Sequence, residues 1–390
     1  MAVKHWGLPL VALLTMVAFW PWWEGGALAT RWGAMAIGAS LLLFGVKVRL
    51  TPIHWAGLTL LGWGVISLVW TPVEVAGAGE LAKWVMMAAV FLVAAEVEDL
   101  RWTYLAIIAG VAISGAVATA QSLGYEGVPQ LAPPAGLFVN RNYLAEAGTV
   151  ALILTLGLME RSRFWLLLPT LALPLTACAA LLPHSRGVIV ALLLCGLWWL
   201  RQHSKRWFWL SICVAACLLV VPLPHVITDG SSLLERVGVW KATVEHLTWL
   251  GHGVGSYYAV YPTFVPHPIL VAARPAHAHN ELVNIASDLG VPGLVLLLGF
   301  GWLAFRNAGA MERCVLVALF GISLFSFPLH VPATGFIFAV VAGSAAARWR
   351  LLHGRELHGG TVEHHRQNVL WAKLRDRAAR FAHGCHHLPV

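Results

Sequence analysis

The chain has 390 residues, 59% of them hydrophobic and only 11% charged, with a mean hydropathy of +0.73. Soluble domains carry roughly a quarter charged residues, so this composition excludes an ordinary water-soluble fold and makes lipid the main solvent. The net charge of +8 then reads as a topology signal plus attraction to anionic head groups, not as a nucleic-acid footprint.

A helix rises 1.5 Å per residue and needs about 20 apolar residues to cross a core of about 30 Å. Apolar runs predict spans near 6–23, 28–46, 53–70, 80–95, 102–123, 143–159, 164–182, 187–200, 207–224, 291–305, 312–330 and 333–347. The short alternating segments of a membrane barrel are absent from this pattern. The expected fold is therefore an all-α polytopic membrane protein of about twelve helices. Lys4, the run from about residue 6 and Ala27-Leu28-Ala29 have the form of a secretory leader, but the segment is read as the first span. Many of the 20 tryptophans lie near the ends of the runs, as in interfacial belts. Residues 1–224 are expected to hold nine spans, with a loop near 124–142. A polar excursion over 225–290, three spans over 291–347 and a basic, His-rich tail over 348–390 follow.

Alternate connections carry all but seven of the 26 Lys and Arg residues. The positive-inside rule places that side, both termini and the tail in the cytoplasm, and the 225–290 loop outside. The seven outward cations are Arg31, Lys83, Arg141, Arg186, Arg236, Lys241 and Arg274, which topology does not account for. Five of the six cysteines fall inside apolar runs and Cys385 in the tail, so neither a disulfide framework nor a zinc site is expected.

Within the large loop, Ser232-x-x-Glu235 is a capping box. Leu233, Val237, Trp240, Val244 and Leu247 then repeat at helical spacing, predicting an amphipathic helix that rests on the bilayer or on the bundle. Gly251-His252-Gly253-Val254-Gly255 ends it. After a crossing rich in proline (Pro262, Pro266, Pro268, Pro275), a second helix is expected near 277–289, closed by Gly290, with Pro292 restarting the next span.

Three segments carry chemistry. Gly136 to Tyr143 includes Asn140, Arg141 and Asn142, with Glu146 a turn deeper; a carboxylate inside a span is costly and so a functional candidate. Ser185-Arg186-Gly187 stands at the mouth of the eighth span, where a snorkelling anchor is the plainer reading. His277-Ala278-His279-Asn280 precedes a helix, and an outward imidazole there is placed to act as a base. His277 is expected to pair with Glu281 one turn on, in a structural role.

His279-Asn280, nine residues, then Gly290-x-x-Gly293 resembles the signature of the bacterial O-antigen ligases and their polymerase relatives, the WaaL/Wzy_C superfamily. Ser185-Arg186-Gly187, Arg236 with Trp240-Lys241, the Gly251-x-Gly-x-Gly turn and Asn140-x-Asn142-Tyr143 follow the superfamily's order over residues 136–296. His252 departs from the pattern, where an apolar residue is usual. The resemblance implies an enzyme of the bacterial inner membrane whose site faces the periplasm. It would transfer a glycan from undecaprenyl diphosphate to a sugar hydroxyl of the lipid A-core, in lipopolysaccharide biosynthesis. His279 would be the general base, with a rate that falls below the ordinary imidazole pKa of about 6.5. Arg141, Arg186 and Arg236 would bind the diphosphate, and Asn142, Trp240, Lys241 and Asn280 would line the substrate site. The acidic run Glu96-Val97-Glu98-Asp99 lies on the cytoplasmic side, so no metal or other cofactor is implied. An O-antigen polymerase and a protein O-oligosaccharyltransferase use the same donor and stay open as alternatives. A solute transporter is the rival from another class; it fits less well because the polar residues gather at one face rather than at the midplane.

The charge asymmetry gives a direct expectation. Cysteines introduced at Thr228 and Pro268 should react with an impermeant reagent in intact cells, whereas cysteines at Lys205 and beyond Arg348 should not. Labelling of the tail would overturn the orientation.

Overall fold

The computed structural model describes residues 2–18, 24–44, 46–128, 133–138, 140–161, 167–203, 231–265 and 275–357. These residues are helical without strands. The ninth expected span (207–224), Arg274 and the tail beyond 357 lie outside them. The chain forms two compact units, Met1–Arg348 and Trp349–Val390; in the second, Trp349 and His353 stack at 4.7 Å.

The helices are α1 (Ala2–Val17), α2 (Glu24–Leu43), α3 (Pro52–Ser67), α4 (Glu74–Ala95), α5 (Arg101–Ser122), α6 (Arg141–Arg161) and α7 (Leu167–Leu181), then α8 (Arg186–His203), α9 (Ser231–Glu245), α10 (Tyr257–Phe264), α11 (Glu281–Asn307), α12 (Ala310–Ser323) and α13 (Pro332–Leu357). Among the described residues, six stretches are long and apolar enough to cross a membrane: Pro52–Trp70, Glu74–Ala95, Arg101–Ser122, Arg141–Glu160, Glu281–Asn307 and Pro332–His353. Shorter apolar helices stand at the first, second, seventh and eighth expected spans. The expected eleventh span, 312–330, is shorter than the sequence suggests. Its helix stops at Ser323, because Pro328 opens a 3-10 turn over Pro328–His330 and a bend fills the gap.

Local rules account for several helix starts. Thr51 accepts the His54 N–H and His54 Nδ1 receives the Thr51 N–H, a reciprocal cap with Pro52 at the first helical position of α3. Asn280 Oδ1 accepts from the N–H groups of Leu282 and Val283 and starts α11. The helix expected from 277 therefore begins at 281.

The packing follows small residues. α1 lies on α2 and α5, and α5, α6 and α7 form a close group; α12 lies against α6 and α8, and α3 against α11. Gly115 meets the backbone of Leu175, and Gly148 meets that of Ala179 and Ala180. Lipid gives helices no hydrophobic reason to associate, so this close approach of backbones supplies the dispersion contacts that hold them. Gly148→Ala should then lower stability by about 1–3 kcal/mol. Gly62→Ala, inside α3 where no atom would meet the new methyl, should instead gain about 0.5–1 kcal/mol; thermal unfolding in detergent measures both.

Candidate functional site

The two glycine motifs, Gly251 to Gly255 and Gly290 to Gly293, are halves of one device. Gly290 sits inside α11 at φ 68, ψ −167 and breaks its hydrogen-bond ladder. The Val291 N–H goes to Trp249 O instead, and Pro292 has none to give. The carbonyls so released find other donors: Ser287 O takes the His252 N–H, Asp288 O the Gly253 N–H, and Leu289 O the Trp63 indole at 2.9 Å. A Cβ at Gly251 or Gly290 would strike the other segment's backbone. The Asp288 carboxylate accepts from Ser256 Oγ at 3.1 Å and Tyr257 N at 2.9 Å, and starts α10. That helix lies inside the expected Pro-rich crossing; its cap comes from a residue 31 positions away, which no local pattern reveals.

α9 forms where expected. Val239 and Ala242 pack on a core of Tyr257, Tyr261, Phe264 and Ala278, while Val237, Val244 and Leu247 of the expected apolar stripe are exposed. This orientation turns Arg236 and Trp240 inward. The Trp240 indole donates to Ala278 O at 2.8 Å, and Arg236 Nη1 to Phe325 O at 2.8 Å. Lys241 stays in the open, 3.9 Å from Glu245.

A cavity of about 310 Å³ opens where α6, α8 and α11 begin and α12 ends. Asn140, just before α6, lines it with Arg141, Asn142, Tyr143 and Glu146 of α6, His184, Ser185 and Gly187 line it from the start of α8, and Arg236 from α9. His279 joins from the segment before α11, and Phe325, Ser326 and Phe327 from the turn after α12. Four of the expected segments therefore converge. Arg186 is the first residue of α8, between two lining residues; its side chain is not among those described. Asn280, Trp240 and Lys241 are not in the lining. Asn280 caps α11 and donates to Leu324 O at 3.1 Å, and Trp240 clamps Ala278, so both act on the backbone that frames the cavity.

Two non-glycine residues among those described have positive φ, His184 (53°) and His279 (50°), and both line this cavity. A bulky side chain in the left-handed region costs about 1–2 kcal/mol. At His279 the neighbours hold it there: Ala278 is bound through N–H to Asn284 and through its carbonyl to Trp240, and Asn280 is committed to its cap. Burial, then the charge of Arg236, push the His279 imidazole down to about 4, well under the expected 6.5, so the ring is neutral at pH 7. His277 does not pair with Glu281. It stacks on Phe327 at 4.5 Å and His330 at 4.3 Å, and burial with the neighbouring His330 keeps its pKa well below the ordinary value.

Arg31, counted among the outward cations, is buried. It donates to Ala18 O and Leu137 O and lies 3.9 Å over the Phe138 ring, so it anchors the approach to Asn140. Sequence reading passed over His184, Ser326 and the 325–327 turn. The break before Pro328, within a run read as a span, was the available signal.

Residues 169–298 match the family model described as Wzy_C, O-Antigen ligase. Over those residues, a third of the chain, it is similar to the O-antigen ligases. The matched region contains the eighth-span mouth, Arg236, the glycine turn and His279-Asn280. Asn140, Arg141, Glu146 and the 325–327 turn complete the cavity from outside the matched region. Comparison with curated proteins gives no match.

The strain at His279 can be measured. His279→Gly relieves the backbone whereas His279→Ala does not, so the glycine variant should be the more stable by about 1 kcal/mol. Equal thermal unfolding of the two would mean that the left-handed backbone carries no cost.

Proposed function

We propose that the protein transfers a glycan from undecaprenyl diphosphate to a sugar hydroxyl of the lipid A-core, at the periplasmic face of the bacterial inner membrane. The observation that carries this reading is the cavity itself. A neutral imidazole, His279, shares one wall system with Arg141 and Arg236 at the point where three helices begin. Helix N-termini and arginines suit a diphosphate, whose charge grows as the glycosyl–oxygen bond breaks. Arginine thus does here what a divalent metal does elsewhere. An apolar cavity of about 610 Å³ against α8, α11 and α12 offers room for a prenyl chain.

In this reading the acceptor hydroxyl gives its proton to His279 as its oxygen bonds to the anomeric carbon, and undecaprenyl diphosphate departs with the bonding pair. Burial and, after it, the charge of Arg236 depress the imidazole; a bound diphosphate offsets the Arg236 part, so the donor itself returns some basicity to His279. Arg186, at the head of α8, is a third diphosphate ligand. The exposed apolar residues Val237 and Val244 of α9, and Leu247 just after it, rest on membrane lipid. A polymerase or protein ligase would use the same groups. The lipopolysaccharide pattern of a deletion strain separates them: loss of every ladder band with donor accumulating supports the ligase, and a surviving one-repeat band supports a polymerase.

In purified protein, His279→Ala should slow single-turnover transfer by about 10²–10⁴-fold with donor binding kept, and Arg236→Ala or Arg186→Ala should weaken donor binding. Transfer should fall as pH drops, since the base must be neutral. The limb in kcat/KM belongs near pH 4, where the free protein places His279, and the limb in kcat, read with donor bound, should lie higher. Normal transfer by His279→Ala would remove histidine from the base role.

A further inference from the structure

The turn that follows α12 holds an imidazole which the proposed chemistry does not use. His330 ends the Pro328–His330 turn, outside the helices, and is 5% exposed. Its Nε2 lies 3.2 Å from Glu80 Oε1 on α4, and its Nδ1 lies 3.2 Å from Glu281 Oε1 on α11. Both carboxylates are buried. Lys83 pairs with the second oxygen of Glu80 at 2.8 Å, and the Leu329 N–H donates to the second oxygen of Glu281 at 3.0 Å. Buried charges persist only when paired, and two carboxylates against one lysine leave a deficit that a protonated His330 closes.

The same turn builds the cavity wall. Leu324 O takes the Asn280 amide, Phe325 O takes Arg236, and Ser326 Oγ donates to Glu146. The Phe327 ring lies 5.5 Å from His279 and 4.5 Å from His277. Ordering four consecutive residues outside a helix costs conformational entropy at each of them, so a fixed point beside them decides how sharply the wall is defined.

Resting on the transfer reading above, we propose that His330 is a positioning residue: held between Glu80 and Glu281, it fixes the 324–330 turn and thereby the placement of Arg236 and His279. The groups facing it are Glu80 and Lys83 from α4, Glu281 and Asp288 from α11, and His277 from the segment before α11. Burial lowers the proton affinity of His330, but Glu80 and Glu281 outweigh burial and Lys83 and raise it to about 9. The sign follows. Because the folded value lies above the unfolded 6.5, the contribution to stability is complete below about pH 6.5 and fades as pH rises through about 9.

The test uses full-length protein in nanodiscs, with wild type, His330→Gln, His330→Lys and Glu80→Gln. Three quantities are read: hydrogen exchange of the 324–331 amides, affinity for undecaprenyl diphosphate, and transfer between pH 7 and 10. His330→Gln should speed exchange of the turn by about tenfold, with α6 and α12 unchanged, and weaken lipid diphosphate binding by about tenfold. His330→Lys keeps the charge, so it should recover part of both and move the alkaline loss of transfer upward. Unchanged exchange in His330→Gln overturns the proposal. Faster exchange with unchanged binding and transfer also overturns it, since the imidazole would then be a staple without influence on the site. If His330→Gln fails to fold, Glu80→Gln removes one of the two grips and is judged by the same criteria. Absence of glycan transfer in the wild type, with exchange and binding responding as expected, would instead overturn the transfer reading and leave the positioning role in place.

Discussion

Where a helix breaks inside a bundle that lipid surrounds, each released backbone group must find a partner in the protein, because hydrocarbon offers none. Much of this molecule follows from that constraint. The kink at Gly290 frees three carbonyls, and the Gly251–Gly255 turn and Trp63 supply the donors. The end of α12 leaves Leu324 O and Phe325 O, which take Asn280 and Arg236. The backbone before α11 is bound by Trp240 and Asn284, and Arg31 serves Ala18 O and Leu137 O. Residues that look like substrate ligands in the sequence are in several cases the donors that let the chain be non-helical at this depth.

That division separates two kinds of polar residue. Asn280 and Trp240 spend their donors on backbone, and their substitution should disturb geometry. Loss of the Asn280 cap alone typically costs about 1 kcal/mol. Arg141 and Arg236 reach the cavity itself, and Arg236 does both, since the bond to Phe325 O also fixes the direction of its guanidinium.

Two histidines show how surroundings divide one side-chain chemistry. His279 is partly buried near an arginine, so burial and charge act together and keep the ring neutral. His330 is more deeply buried, yet two carboxylates reverse the outcome and keep it charged. Titratable groups whose environments drive them apart are the usual means by which one site keeps a base and a fixed charge together. Here Phe327, with a ring near both, stands between the two.

Sequence alone determined the membrane class, most of the helical segments and the segments that meet at the cavity. Composition and apolar run length are properties of the chain, and the spacing of His279-Asn280 to Gly290-x-x-Gly293 records a cap, a helix and a kink that are all local. The helix of α9 was legible for the same reason, through its period. Its orientation was not: the stripe of Val237, Val244 and Leu247 is as apolar as the face of Val239 and Ala242 that packs, and only the partner core of Tyr257 and Phe264 decides between them. The helix α10, started by the distant Asp288, and the His330–Glu80–Glu281 cluster, drawn from three separate parts of the chain, were likewise beyond local pattern. So was the fate of Arg31, whose charge resembles Arg141 in sequence and which tertiary packing buries against Phe138. Local hydrogen bonding and period are written in adjacent residues; which face packs, and which charges meet, depends on partners that only the folded bundle brings within reach.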